Sequence, residues 1–246
     1  MKEKITGIIL GSIRHSDRFN VTGVYTLENG RIAMLTPAGT SRTARQAASR
    51  LQPLSVIEAE VNRSASRELG IASGITLLRV WKSVYMSPGK ATVAMFLSEF
   101  LSRLLRDATP EVNVWNYISD SMEYFDAVVD KTAIANFHIT FMVGMTRLMG
   151  IQPDLSNYSD GMEFDMQAGV MAYPFSNARR GSNRINNEKS AFLMKLARIN
   201  YSNSRRFRFS GKERSEILDL ILKYFGCHFP GCDNIRSLEI LKEIFL

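Results

Sequence analysis

The chain has 246 residues, 45% hydrophobic and 22% charged, which is too apolar for a disordered segment and enough for two small cored domains. Its 31 Lys and Arg outnumber 24 Asp and Glu, so the net charge of +7 favours a polyanionic partner. Two cysteines exclude a disulfide framework, and the absence of a charged-then-apolar leader fits a cytoplasmic protein.

The first eighty residues read as short strands. The apolar residues Ile5, Ile8, Ile9 and Leu10 of KITGIILGSIR predict one, and Phe19, Val21, Val24 and Tyr25 of RFNVTGVYTL a second. Asn29-Gly30 tolerates the positive φ of a tight turn, which folds Arg31 to Leu35 back as a third antiparallel strand. The segment TPAGTSRTARQAASRLQP reads as a flexible loop carrying Arg42, Arg45 and Arg50 without an acid. VIEAEV alternates Ile57, Ala59 and Val61 against Glu58 and Glu60, and Gly74 to Trp81 supplies a fifth strand. Five short strands suit a small barrel of the OB type, whose face and loops bind oligonucleotides. Residues 1 to 80 hold 11 Lys and Arg against 6 Asp and Glu, so nucleic acid is the natural counterpart.

From residue 81 to 246 the periodicity becomes helical, giving an α+β chain with the β part first. AMFLSEFLSRLLRD places Met95, Phe96, Phe100, Leu104 and Leu105 at helical spacing, and VWNYISDSMEYFDAVV does so with Trp115, Ile118, Met122 and Phe125. IANFHITFMVGMTRLMG is apolar nearly all round, as the central helix of a bundle is, and Gly150 offers a left-handed stop. Asn136, His138 and Arg147 interrupt it, so it is read as core and not as a membrane span. Residues from about 151 to 185, punctuated by Pro153, Gly161, Gly169, Pro174 and Gly181, read as an irregular, loop-rich insertion. Helices resume at EKSAFLMKLARIN and at GKERSEILDLILKYFG, where Ser210 and Glu213 fit a capping box, and SLEILKEIFL closes the chain.

A second basic region occupies residues 176 to 246, with 14 basic and 7 acidic groups, including Arg179, Arg180, Arg184 and Lys189. Arg205, Arg206 and Arg208 interleave with Phe207 and Phe209, a composition suited to phosphate contact and base stacking. The competing reading packs both rings inward and leaves the arginines solvated. Catalytic motifs for phosphate cradling, dinucleotide binding or nucleophilic hydrolysis are absent from the sequence. Asp154, Asp160, Glu163 and Asp165 could bind Mg²⁺ for a nuclease or phosphodiesterase, the alternative reading in a different class; a general RNA-binding barrel is the third. His15 beside Asp17 reads as turn capping, His138 as a core residue, and Cys227, His228 and Cys232 as a cluster short of a fourth zinc ligand.

GIILGSIRHSDRFNVTGVYTLENGRIAML, followed by LQPLSVIEAEV, resembles the N-terminal domain of the RecO family of recombination mediators. KSVYMSPGKATVAMFLSEFLSRLLRD, FHITFMVGMTRLMGIQPDL and HFPGCDNIRSLEILKEIF extend the resemblance over essentially the whole chain. The resemblance implies binding of single- and double-stranded DNA and annealing of complementary strands, without covalent chemistry. It also implies action with RecR, capture of the acidic tail of single-stranded DNA-binding protein, help in loading RecA, and a cytoplasmic, nucleoid-associated location. By position it puts phosphate contacts on Arg14, Arg18, Arg31, Arg42, Arg45 and Arg50. Many relatives carry two cysteine pairs for zinc after the central helix; this chain has none there, so no metal cofactor is expected and Phe164, Met171, Tyr173 and Phe175 should hold the insertion by packing. The Lys-Gly pair of many relatives after the third strand is replaced here by Pro37-Ala38-Gly39. For the partner tail, which needs an apolar hole and a cation, the candidates are Phe100, Phe137 and Phe141 with Arg103, Arg106 or Lys131.

Overall fold

A computed structural model describes residues 2–62, 69–159, 161–173, 183–185, 193 and 196–245. Strands β1 (Lys2–Arg14), β2 (Phe19–Thr26), β3 (Gly30–Pro37), β4 (Val56–Asn62) and β5 (Gly70–Arg79) close into a barrel in the order β1-β2-β3-β5-β4. All pairings are antiparallel except the short parallel contact of β3 with β5, Met34 opposite Gly70 and Leu35 opposite Ile71. Alternation sets the core: Ile5, Ile9, Val24, Met34, Ile57, Ala59, Val61, Ala72 and Ile75 point inward and are buried together. At the β2–β3 turn Gly30 has φ +65°, and the Thr26 hydroxyl donates to the Gly30 carbonyl at 3.0 Å while accepting from the Asn29 N–H. A β-carbon there would come within 2.2 Å of the Ala108 carbonyl, so glycine is required by packing as well as by the backbone.

The segment read as a flexible loop is instead a helix, α1 (Arg42–Arg50). Ser41 caps it by accepting from the Ala44 N–H at 3.1 Å, and Ala44 and Ala47, three apart, are its buried face. Two small apolar residues leave little hydrophobic signal, so the arginines and the preceding Gly39-Thr40-Ser41 dominated the pattern.

The chain divides into two compact units, residues 1–127 with 235–244, and 128–234 with 245–246. In the first, the barrel is joined by α2 (Lys82–Met86), a short helix absent from the sequence reading, α3 (Pro88–Leu104), α4 (Val112–Ala127) and α7 (Leu238–Phe245). Trp81 ties the exit of β5 to the barrel, its indole N–H donating to the Leu54 carbonyl at 2.8 Å. Lys90 is buried and donates to the Phe125 and Asp126 carbonyls at 2.7 and 3.1 Å, which closes the C-terminal end of α4.

The second unit is built on α5 (Lys131–Leu148) and α6 (Gly211–His228). Asp130 caps α5, Gly150 beyond its end has φ +69°, and Ser210 with Glu213 forms a full capping box on α6. The insertion is more regular than its composition suggests: β6 (Glu163–Asp165), β7 (Val170–Ala172) and β8 (Arg184–Ile185) make a small sheet in the order β7-β6-β8. Phe164 and Met171 are buried with Met166, Ile185 and Tyr224, whereas Tyr173 is exposed and Phe175 lies outside the described residues. The helix read at EKSAFLMKLARIN falls largely outside them too. Among the described residues no helix is long and apolar enough to cross a membrane.

Candidate nucleic-acid interface

One end of the barrel gathers arginines by backbone hydrogen bonds. In the β1–β2 turn, the His15 and Ser16 N–H groups donate to the Phe19 carbonyl at 3.1 and 2.9 Å, and the Phe19 N–H donates to Ser16 Oγ at 3.1 Å. The Ala38 N–H then donates to the Arg18 carbonyl at 2.8 Å, fixing the link from β3 to α1 beside this turn. Arg14, the last residue of β1, and Arg18 on the turn are thereby brought to the end of the barrel where α1, with Arg42 and Arg45, begins. All four are exposed. Arg14 makes an exposed ion pair with Asp17 at 3.3 Å, a contact that holds it weakly. Among the described residues Arg18, Arg42 and Arg45 have no ion pair, so their guanidinium groups are available to a polyanion.

Arg31 and Arg50 are occupied differently. The Arg50 Nη1 donates to the Ile75 carbonyl at 2.6 Å and fastens the last turn of α1 to β5. The Arg31 guanidinium lies over Gly23 and donates to its neighbour's carbonyl on Ile32, with its Nε buried and without a hydrogen-bond partner among the described residues; burial pushes its pKa down. Gly23 makes room for this arrangement, since a β-carbon there would meet Arg31 Nη2 at 2.4 Å.

In the second unit, Arg205 and Arg206 lie on a single 3₁₀ turn, Ser204–Arg206, and with Arg208 they are exposed. Buried Asn136 of α5 holds this segment, its Nδ2 donating to the Ser204 and Phe207 carbonyls at 3.0 and 2.7 Å. Arg214 donates to the Phe209 carbonyl at 3.0 Å. Phe207 and Phe209 are half-buried with ring centroids 5.9 Å apart, so the arginines project while the rings pack on one another. Arg179 and Arg180 lie outside the described residues.

The family model described as "Recombination protein O N terminal" matches residues 1–81, and "Recombination protein O C terminal" matches residues 87–238. The chain belongs to the RecO family. Proteins called DNA repair protein RecO from Bacteroides fragilis and Phocaeicola vulgatus are each 30% identical to it over 247 residues, covering all of both chains. The protein of that name from Azobacteroides pseudotrichonymphae is 29% identical over 245 residues, again across both chains.

Within this RecO chain the residues considered for a partner tail divide sharply. Phe100 in the first unit and Phe137 and Phe141 in the second are fully buried, so none presents a ring face to solvent. Phe137 instead stacks on Tyr201, with centroids 5.6 Å apart. Arg103, Arg106 and Lys131 are exposed. An apolar hollow not legible in the sequence lies in the second unit, lined by Val143, Phe164, Ile185, Leu196 and Ile221 with Arg147 among its lining residues. Its signal is dispersed over α5, the insertion and α6, which a linear reading does not bring together.

The acids considered for Mg²⁺ have local partners. Asp154 accepts from the Ser156 hydroxyl and N–H at 2.6 and 3.0 Å, and Asp165 from the Gln167 and Ala168 N–H groups, both at 3.0 Å. Arg184 lies 3.7 Å from Glu163 and 3.9 Å from Asp165, and Asp160 is outside the described residues. His228 shares a hydrogen bond with the Met166 carbonyl at 2.9 Å, and Cys232 is buried. His138 is fully buried; loss of solvent, aided by nearby Arg214, lowers its pKa to about 3 and keeps it neutral.

Proposed function

We propose that this RecO chain binds single- and double-stranded DNA through the basic end of its barrel and anneals complementary strands as a non-enzymatic recombination mediator. The observation that carries the reading is the set of exposed arginines Arg14, Arg18, Arg42 and Arg45, placed by the turn-to-helix link and, Arg14 apart, without an ion pair among the described residues, in a chain that matches the RecO family along its length. Guanidinium groups there neutralise phosphates and release counterions, which supplies affinity without sequence preference. Arg205, Arg206 and Arg208 form a second phosphate-binding surface, with Arg179 and Arg180 in the same stretch of sequence. Two such surfaces lower the repulsion between backbones whose bases must pair.

In this reading the mediator works with RecR, takes the acidic tail of single-stranded DNA-binding protein and prepares strands for RecA in the cytoplasm. It needs no metal: the apolar cluster of Phe164, Met166, Met171, Ile185 and Tyr224 supports the insertion, where many members of the family carry cysteine pairs. Fluorescence anisotropy with a labelled oligonucleotide, titrated over a range of salt, tests the binding. Replacing Arg14, Arg18, Arg42 and Arg45 by alanine should reduce the slope of log K against log [salt] by about 3 to 4. An unchanged slope contradicts the proposed surface, and preferential binding of RNA of the same sequence would favour a general RNA-binding barrel.

A further inference from the structure

The basic segment of the second unit is held from inside by two side chains of other elements, Asn136 of α5 and Arg214 of α6. Between Ser204 and Phe209 the backbone makes one 3₁₀ turn and then extends, with φ −88° and ψ 100° at Phe207. Extended backbone alternates its side chains, and here half-buried Phe207 and Phe209 alternate with exposed Arg206 and Arg208. Three carbonyls of the segment meet donors from within the unit. Asn136 is fully buried, and its Nδ2 donates to the Ser204 and Phe207 carbonyls at 3.0 and 2.7 Å, the start of the turn and the residue just past its end. Arg214 is partly buried; its Nη2 donates to the Phe209 carbonyl at 3.0 Å and its Nε to Asn136 Oδ1 at 3.4 Å. The two side chains therefore form one network, which also sets the amide's orientation: oxygen toward the guanidinium, nitrogen toward two carbonyls.

We propose that Asn136 and Arg214 are positioning residues for phosphate binding by this segment: they draw its carbonyls inward and so present Arg205, Arg206 and Arg208 outward as one preset group. The inference rests on the DNA-binding role proposed for these arginines and adds what makes them act together. A buried amide costs desolvation, and a leucine of nearly the same shape would fill the same place in the core without that cost. What Asn136 supplies and leucine does not is a pair of donors spanning the turn. Among the described residues Arg205, Arg206 and Arg208 make no ion pair, so none of the three is neutralised there. A segment free to move would have to be ordered as it met phosphates, and that ordering weakens binding; a segment already held avoids the loss. Fully buried Asn136 meets no ligand itself, so its effect passes through the backbone it holds.

The test is a double-variant cycle on the full chain, read by fluorescence anisotropy with a labelled hairpin duplex at one salt concentration. Wild type is compared with Asn136→Leu, with the triple change Arg205→Ala/Arg206→Ala/Arg208→Ala, and with the two combined, circular dichroism confirming that each is folded. Asn136→Leu should weaken binding about three- to tenfold in the wild-type background and by less than about twofold once the three arginines are gone. Arg214→Lys keeps the positive charge but cannot donate to Phe209 and Asn136 together, so it should show the same dependence on the arginines; it carries the test if Asn136→Leu does not fold. Equal losses with and without the three arginines would mean that the network only stabilises the unit. Unchanged affinity in either folded variant would mean that the segment needs no positioning, and each of these results overturns the proposal. A triple variant that binds as wild type does would overturn the second DNA surface itself, a failure separate from that of the two positioning residues.

Discussion

Glu99 links two helices of the first unit, and its removal gives a prediction whose size follows from geometry. Its carboxylate accepts from the Arg236 N–H at 3.0 Å, the Ser237 N–H at 2.9 Å and the Ser237 hydroxyl at 2.7 Å, so α3 caps the start of α7 from outside. Hydrogen bonds to a charged group each contribute about 1.5 to 3 kcal/mol at best, but Glu99 is partly exposed, and in Glu99→Gln one amide oxygen still accepts. The net loss for Glu99→Gln is therefore about 1 to 2 kcal/mol, or roughly 3 to 6 °C in Tm for a chain of this size. Burial pushes the Glu99 carboxyl up, yet the bonds from Ser237 and Arg236, with Arg103 nearby, outweigh it and hold the group below the ordinary carboxylate range. A carboxyl lowered on folding contributes stability above its unfolded pKa of about 4.3 and loses it as pH falls through the folded value. Urea unfolding of wild type and Glu99→Gln from about pH 7 down to about pH 3.5 should show a gap that is full near neutrality and narrows with acid. A gap that stays constant over that range would refute the charged cap.

Gly30→Ala should destabilise by about 3 kcal/mol in denaturant titration, because the left-handed backbone and the Ala108 carbonyl both reject a β-carbon. Lys90→Met removes the donor to the Phe125 and Asp126 carbonyls and should cost about 2 to 3 kcal/mol by thermal unfolding, despite the apolar replacement. Arg42→Ala and Arg45→Ala should weaken DNA binding with stability unchanged within about 0.5 kcal/mol. Arg50→Ala, which loses the bond to Ile75, should cost about 1 kcal/mol or more of stability while changing the salt slope little; paired calorimetry and anisotropy separate the two classes.

The barrel strands were legible because inward residues such as Ile57, Ala59 and Val61 alternate with Glu58 and Glu60, and Gly30 takes the positive φ its turn demanded. Gly150 and the Ser210–Glu213 box mark real helix boundaries for the same local reason. Helix α1 was hidden because its buried face is only Ala44 and Ala47, and the insertion sheet because two- and three-residue strands are too short for a period. Sequence also gives each arginine equal standing. Only the fold shows that Arg50 is committed to the Ile75 carbonyl and Arg31 to its own strand, while Arg18, Arg42 and Arg45 face solvent with no ion pair among the described residues.

The central claim is tested most directly by the rate at which complementary oligonucleotides, coated with single-stranded DNA-binding protein, anneal with no nucleotide or metal added. Wild type should accelerate duplex formation, the acceleration should fall steeply between about 50 and 200 mM salt, and replacement of Arg14, Arg18, Arg42 and Arg45 by alanine should abolish most of it in a folded protein. Wild-type protein that leaves the annealing rate unchanged, or a folded quadruple variant that anneals as fast as wild type, would contradict the account.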